Sequence, residues 1–473
     1  MKKILILLAV TALYSCTKNL ESLNTNVKDA TSASGEAFFN MASKNMSDLM
    51  SGITYGANGS PFETSRLMVQ QISSVTYNEG TTYYSNFNWS AMYMGVLRNL
   101  LESANVTKAT SFVGAAGATQ QKNQLALIEI MNVYAYATLV DAFGNIPYTA
   151  ALDFNNVLAK YDDAQTVYAD LIKRLKVAID NLDATGKSFD NDLVYGGKVA
   201  NWKKFGNSLL LKLGMRIMDK DAALGTATVT TAAPGAFTSN TDNALFKYLS
   251  AQPNTNTLWI SLAIGNRKDF VGAKPFVDLM NTLNDPRRPV YFTTVNGAYV
   301  GALSGAVVTY ELYSRFGSIF YEATLPSIIM DYTTVEFLLA EAMERGINVG
   351  GTAETHYNAA ITASMNYYGV GSGAAAYLAQ PAVGYKTAAG NWKQKIGNQK
   401  WLALFNQGPE AWTEYRRLDY PVLSAPAGSY VNVVPRRLTY PISEQTLNGA
   451  NYKAAASAIG SDLMTTKIFW DVY

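Results

Sequence analysis

One histidine and one cysteine are all that 473 residues offer to the common nucleophilic and zinc chemistries. His356 stands in Glu354-Thr355-His356-Tyr357, inside a helical pattern, with no nucleophile or ligand set beside it. Serine–histidine, cysteine–histidine and zinc sites therefore have almost no raw material, and His356 reads as structural. Gly114-Ala115-Ala116-Gly117 lacks the Lys-Ser/Thr of a phosphate loop and reads as a loop of small residues. Glycoside hydrolysis needs only two carboxylates, yet the 36 acidic residues form no recognisable pair, which leaves a surface hydrolase as the remote alternative. The richer material is non-covalent. Tyr77-Asn78-Glu79, Tyr83, Tyr84, Asn86 and Trp89 form one cluster, and Asn254, Asn256, Trp259, Asn266 and Arg267 form another. Both mix flat aromatic faces with amides and charge, as a site for an oligosaccharide or a peptide requires. Trp89 also opens a helical pattern, so a place in the core competes with a place on a ligand. No metal and no cofactor is expected.

Cys16 carries the other readable chemistry. Lys2 and Lys3 precede a run, Ile4 to Leu13, in which Thr11 is the one polar residue. A bilayer core needs ~20 apolar residues, so this run suits a secretory signal instead. Leu13-Tyr14-Ser15-Cys16 follows at once and resembles the lipobox of bacterial lipoproteins, in which the thiol is lipidated and becomes the first mature residue. Acyl chains contribute ~0.8 kcal/mol per buried CH₂, and several of them hold a protein to a membrane stably. The expected organisation is a signal peptide over 1–15, a lipidated cysteine with a polar tether over 16–30, and a single domain over 31–473. A lone cysteine allows no disulfide within the chain. Removal of Lys2 and Lys3 leaves 36 basic against 36 acidic residues, and a neutral chain gives no reason to expect nucleic acid.

Most of the remainder must supply a scaffold. Leu125, Ile128, Tyr136, Val140 and Phe143 repeat at helical spacing over about Lys122 to Phe143, and Gly144 and Pro147 end the run. Asp162 and Asp163 suit N-caps for the next helix, with Val167, Leu171, Leu175, Ile179 and Leu182 on one face. Further helices are expected at Asn88–Asn105, Val199–Lys220, Ser327–Arg345, Ala353–Tyr368 and Ile396–Leu418, with Gly408-Pro409 bending or breaking the last. They fall into antiparallel pairs, as in tetratricopeptide-like arrays. Long stretches at about Ser51–Phe87, Ala222–Lys274, Pro286–Pro326 and Gly369–Lys395 are rich in Gly, Thr, Asn, Ser and Tyr, with a β-like run at Ala306–Tyr313. Loops of this length are usually functional.

Three segments carry a family resemblance. They are DAFGNIPYTAAL (Asp141–Leu152), then LLAEAMERG (Leu338–Gly346) with AETHYNAAITAS (Ala353–Ser364), and finally QKWLALFNQGPEAWTEYRRLDYP (Gln399–Pro421) with RRLTYPISEQTLNGANY (Arg436–Tyr452). In this order, behind a lipobox, the chain resembles the SusD/RagB family of nutrient-binding outer-membrane lipoproteins of Bacteroidetes-like bacteria. The resemblance implies a mostly α fold, in which tetratricopeptide-like hairpins form a right-handed superhelix with long irregular loops and a few short strands. It implies a non-enzymatic protein, lipid-anchored and facing the cell exterior, that captures oligosaccharides for a SusC-like TonB-dependent transporter. Oligopeptides are the alternative ligand. It also places the ligand face on the early and mid-chain loops, hence on Tyr77, Tyr83, Tyr84, Asn86, Trp89, Asn256, Trp259, Asn266 and Arg267. Asp285-Pro286-Arg287 resembles a recurring turn and reads as an internal ion pair, while Arg436 and Arg437 read as anchors of the C-terminal segment.

Overall fold

The computed structural model of the chain describes residues 33–52, 64–84 and 87–473. Cys16, the signal and the tether lie outside the described residues. The longer helices are α1 (Gly35–Ser51), α2 (Arg98–Ala109), α3 (Gly114–Phe143), α4 (Ala164–Asn181), α5 (Val199–Arg216), α6 (Ala222–Ala232), α7 (Lys274–Thr282), α8 (Tyr332–Glu344), α9 (Ala353–Tyr367), α10 (Trp392–Ala403), α11 (Gly408–Leu418) and α12 (Gly449–Ala458). Polar caps start many of them by satisfying an orphan amide. Ser34 accepts from Ala37 N, Asp163 from Thr166 N, Asp331 from Thr334 N and Thr352 from Thr355 N. Consecutive helices pack as pairs: α1 with α2, α3 with α4, α5 with α6, α8 with α9, and α10 with α11. This is the tetratricopeptide-like helical architecture.

Three two-stranded antiparallel sheets fasten the connections. They pair β1 (Ile72–Ser74) with β5 (Phe270–Gly272), β2 (Ile146–Pro147) with β3 (Tyr161–Asp162), and β4 (Ala244–Phe246) with β6 (Ser327–Met330). Helix α3 runs through the middle of the core. Among the described residues it alone is long and apolar enough to cross a bilayer, but 78% of its apolar window is buried in the protein. It is a core helix.

Several sequence-based boundaries need correction. Helix α3 starts at Gly114, so Gly114–Gly117 is its first turn rather than a loop. A Cβ on Gly117 would meet the Phe112 backbone at 2.9 Å, and the small residue is what lets the chain fold back there. Asn88–Asn105 divides into a π-helical turn, Ala91–Leu97, and α2. Ser327–Arg345 is β6 followed by α8, separated by the Asp331 cap. Ile396–Leu418 is two helices, because Pro409 can occupy the first turn of α11 but not the interior of a continuous helix. Ala306–Tyr313 forms no strand, only a 3₁₀ turn at Tyr310–Leu312.

A buried ionic network holds the C-terminal helices to the rest. Glu410 of α11 receives Lys212 at 3.2 Å and Arg216 at 3.1 Å from α5, and Arg216 also reaches Asp141 of α3 at 3.2 Å. Glu414 binds Lys400 of α10 and Arg417, each at 2.6 Å, and Arg417 bridges to Glu341 of α8. Burial alone would raise the Glu414 carboxyl, but Arg417, Lys400 and Arg216 hold it well below the usual carboxylate range. The segment PEAWTEYRR is therefore an internal tie, not a surface. The Asp285–Arg287 pair is fully buried at 2.7 Å, and Arg437 donates to Phe143 O at 2.8 Å. Both are structural, as their sequence context suggests.

Candidate ligand-binding site

The β1–β5 ladder decides which loops meet. Ser74 pairs with Phe270 and Ile72 with Gly272. Tyr77 follows β1 and Arg267 precedes β5 by three residues each, so the ladder delivers the two aromatic-polar loops to one place. There they line a cleft of about 280 Å³ with Leu67, Ser74, Glu79, Gly80 and Phe270. Leu67 and Phe270 are buried and make its floor apolar.

Each wall is fixed from behind. Thr81 Oγ1 accepts from Ser74 N at 3.2 Å, and Thr82 Oγ1 donates to Asn78 O at 2.9 Å. The next residue, Tyr83, takes φ +65° and turns its ring into the core, where its hydroxyl donates to Met68 O at 3.3 Å. Tyr77 is left 62% exposed and Tyr84 38%. On the opposite wall Asn266 turns the chain at φ +46°. The Arg267 guanidinium lies 4.8 Å over the Phe270 ring and uses Nε and Nη2 on the Asp269 carboxylate. Such a pinned fork keeps one orientation without ligand.

Two further loops border this face. Asn78 Nδ2 donates to Gly305 O at 3.4 Å, and Tyr430 N donates to Thr82 O at 2.9 Å. Gly305, at φ +85°, sits where a Cβ would come within 3.1 Å of Ala427 O, so the two loops meet through a glycine. Tyr430 is 64% exposed and packs edge-on against Tyr84 with ring centroids 5.2 Å apart. Tyr430 escaped sequence reasoning. Its setting, Gly428-Ser429-Tyr430 after Pro421 and Pro426, has the composition of the loops that were singled out.

The structure thus joins Tyr77 and Arg267 on one cleft, with Tyr84 on the bordering face and Asn266 exposed beside Arg267. It puts other singled-out residues elsewhere. Tyr83 is fully buried. Trp89 is core, ringed by Phe143, Tyr161 and Tyr440 at 5.1, 5.5 and 5.7 Å. Asn256 is buried as a cap, accepting from Leu258 N and donating to Leu325 O, both at 2.7 Å. Trp259 is half-buried in the short turn Thr257–Trp259 and does not line the cleft. Asn86 lies outside the described residues. Burial is the common cause: an aromatic or amide in a loop is as useful for closing the loop on the core as for meeting solvent.

Among the described residues no group of three His, Cys, Asp or Glu side chains could hold a metal ion. His356 Nδ1 lies 2.6 Å from Glu336 Oε2, and Nε2 lies 2.8 Å from Gly350 O. The Glu336 hydrogen bond raises its pKa against the opposing effect of burial. Through Glu336 it ties α8 to α9.

The comparisons agree with this architecture. The SusD-like family described as starch-binding and associating with the outer membrane matches residues 28–441. A chitin-binding SusD homologue from Flavobacterium johnsoniae is 26% identical, with a TM-score of 0.78, covering 93% of this chain and 98% of its own. Another solved chitin-binding protein is 27% identical, with the same TM-score, covering 93% of this chain and 100% of its own. A SusD homologue from Bacteroides uniformis, at 24% identity and TM-score 0.76, covers 92% of this chain and 99% of its own, and shares the fold. None of the curated proteins matches by sequence. With the match running over nearly the whole chain, this protein belongs to the SusD-like family of glycan-binding proteins associated with the outer membrane.

Proposed function

We propose that the protein captures oligosaccharides at the cell surface and passes them intact to a SusC-like TonB-dependent transporter. In this reading Cys16 carries the lipid anchor and the loop face looks outward. The observation that carries it is the Tyr77–Arg267 cleft bordered by exposed Tyr84 and Tyr430, a set of flat rings around a pinned donor. Two aromatic faces that each shield ~70 Å² at ~25 cal/mol/Å² contribute about 3.5 kcal/mol, a millimolar grip before hydrogen bonds add to it. A weak grip suits a protein that must release its cargo to a transporter. The family's description and the names of the chitin-binding relatives support a glycan over a peptide.

Titration calorimetry of residues 17–473 against pooled oligosaccharides and oligopeptides, with product analysis of the same mixtures, tests the reading. Saturable heat from the oligosaccharides with every ligand recovered intact is expected. Cleaved ligand contradicts the non-enzymatic role, and heat from peptides alone contradicts the glycan.

A further inference from the structure

We propose that the groove between α2, α3 and α4 is a docking site for an acidic amphipathic helix of a partner protein. The groove shares no residue with the Tyr77–Arg267 cleft, so this role is separate from sugar capture. Helices α2 and α4 both pack on α3 without closing over it, which leaves an open trough of about 480 Å³. Helix α4 turns Asp170, Lys173, Arg174, Val177, Ala178 and Asn181 to the trough, a face that recurs at each turn. From Asp170 to Asn181 this face runs ~16 Å at ~1.5 Å per residue, about three turns of helix. Ala104 of α2, with Leu125 and Ile128 of α3, makes the floor apolar, and Val177 stands above it 53% exposed. Ala104, Ala126 and Ala178 are small enough for another helix to come close. A concave apolar face of this length suits the stripe of an amphipathic helix.

Charge selects the occupant. Lys108, Lys122 and Lys173 border the trough, all exposed, and none has an ion pair or hydrogen bond among the described residues. Arg174 by contrast is committed, with Nε and Nη2 on Glu129 at 2.5 and 3.0 Å. Asp170 accepts from the Tyr148 hydroxyl. The lining therefore holds four cations against two carboxylates. Nor are the cations gathered at one point. Lys122 lies seven residues before Glu129, ~10 Å along α3, while Lys173 adjoins the Arg174 that Glu129 holds. A single lipid headgroup would reach one end of this row. A helix with carboxylates on both flanks of its apolar stripe reaches all three lysines while the stripe covers Leu125 and Val177.

Fluorescence anisotropy of residues 17–473 with a labelled helical peptide of roughly 16 residues tests the proposal. The peptide carries leucines three and four residues apart with glutamates on either flank, and a second peptide has lysine at each glutamate. The glutamate peptide is expected to bind roughly tenfold or more tightly than the lysine peptide. Its affinity should fall about tenfold as salt rises from ~0.02 to ~0.5 M. Val177→Glu should weaken it by a similar factor. Lys108→Glu, Lys122→Glu and Lys173→Glu together should reverse the preference, so that the lysine peptide binds more tightly. All four positions are exposed, so urea midpoints should stay close to that of the parent chain. Equal affinity for the two peptides, no saturable binding of either, or a triple variant that binds like the parent overturns the proposal. In sedimentation, a dimer that Val177→Glu dissolves overturns it too, and gives the groove to a second copy of the chain. Binding to phosphatidylglycerol vesicles that the triple variant loses overturns it in favour of an anionic lipid.

Discussion

Ser74 stands opposite Phe270 in the β1–β5 ladder, and this register brings Tyr77 and Arg267 to the walls of one cleft. Tyr77 and Arg267 are 190 residues apart in the chain. A slip of one residue would turn Phe270 away from the cleft floor. Affinity for ligand therefore depends on a short ladder as well as on the residues that touch the ligand, and the two contributions can be separated by mutation.

Tyr77→Ala, Tyr84→Ala and Tyr430→Ala should each weaken oligosaccharide binding by about an order of magnitude. The basis is ~70 Å² of ring face at ~25 cal/mol/Å². All three side chains are substantially exposed, so urea midpoints should stay close to that of the parent chain. Calorimetry and urea unfolding on the same samples check both statements.

Trp89→Ala should do the reverse. Its ring fills a cluster with Phe143, Tyr161 and Tyr440, so truncation should cost ~3–5 kcal/mol of stability. The protein that remains folded should bind with the parent affinity. A large loss of affinity in folded protein would place Trp89 on the ligand after all.

The contrast between Tyr77 and Trp89 marks how far the sequence could be read. Composition picked out both loops, and the segments resembling the SusD/RagB family ordered the scaffold around them. Composition could not separate residues that line the face from those that close the loops. Tyr83 and Tyr84 are neighbours, yet a positive φ at Tyr83 sends one ring into the core and leaves the other partly exposed. Asn256 stands in a loop composed like a ligand face yet is a buried helix cap, a role to which Asn is equally suited. Tyr430 was missed because it comes from a loop more than 150 residues further on than Arg267, and only tertiary packing sets it against Tyr84. Helix periodicity was the safer guide, failing mainly where a cap or a proline divides one pattern into two elements, as at Asp331 and Pro409.

Arg417→Met should cost ~3–5 kcal/mol. It leaves Glu341 and Glu414 buried beside each other with one cation fewer, and a broken buried pair is far more costly than a broken surface pair. Replacing Arg417 and Glu341 together by apolar residues should recover part of that loss. Chemical denaturation of the single and double variants reads the difference.

His356 gives a pH dependence that can be observed directly, since it is the only histidine in the chain. Glu336 raises its pKa above the ordinary value of about 6.5. A raised pKa means that the folded state binds the proton more tightly than the unfolded one. The resulting stabilisation is fully present below about pH 6.5 and is lost as pH rises through the folded-state value. NMR titration of the imidazole should give a midpoint above that of an unstructured peptide, and Glu336→Gln should lower it. A midpoint at or below the peptide value would contradict the Glu336 contact.

The most direct measurement is a crystal structure of residues 17–473 with a saturating oligosaccharide. A sugar ring should stand against Tyr77, with a polar group of that sugar within hydrogen-bond distance of Arg267. Density for the sugar on another face, with the Tyr77–Arg267 cleft left open, would contradict it.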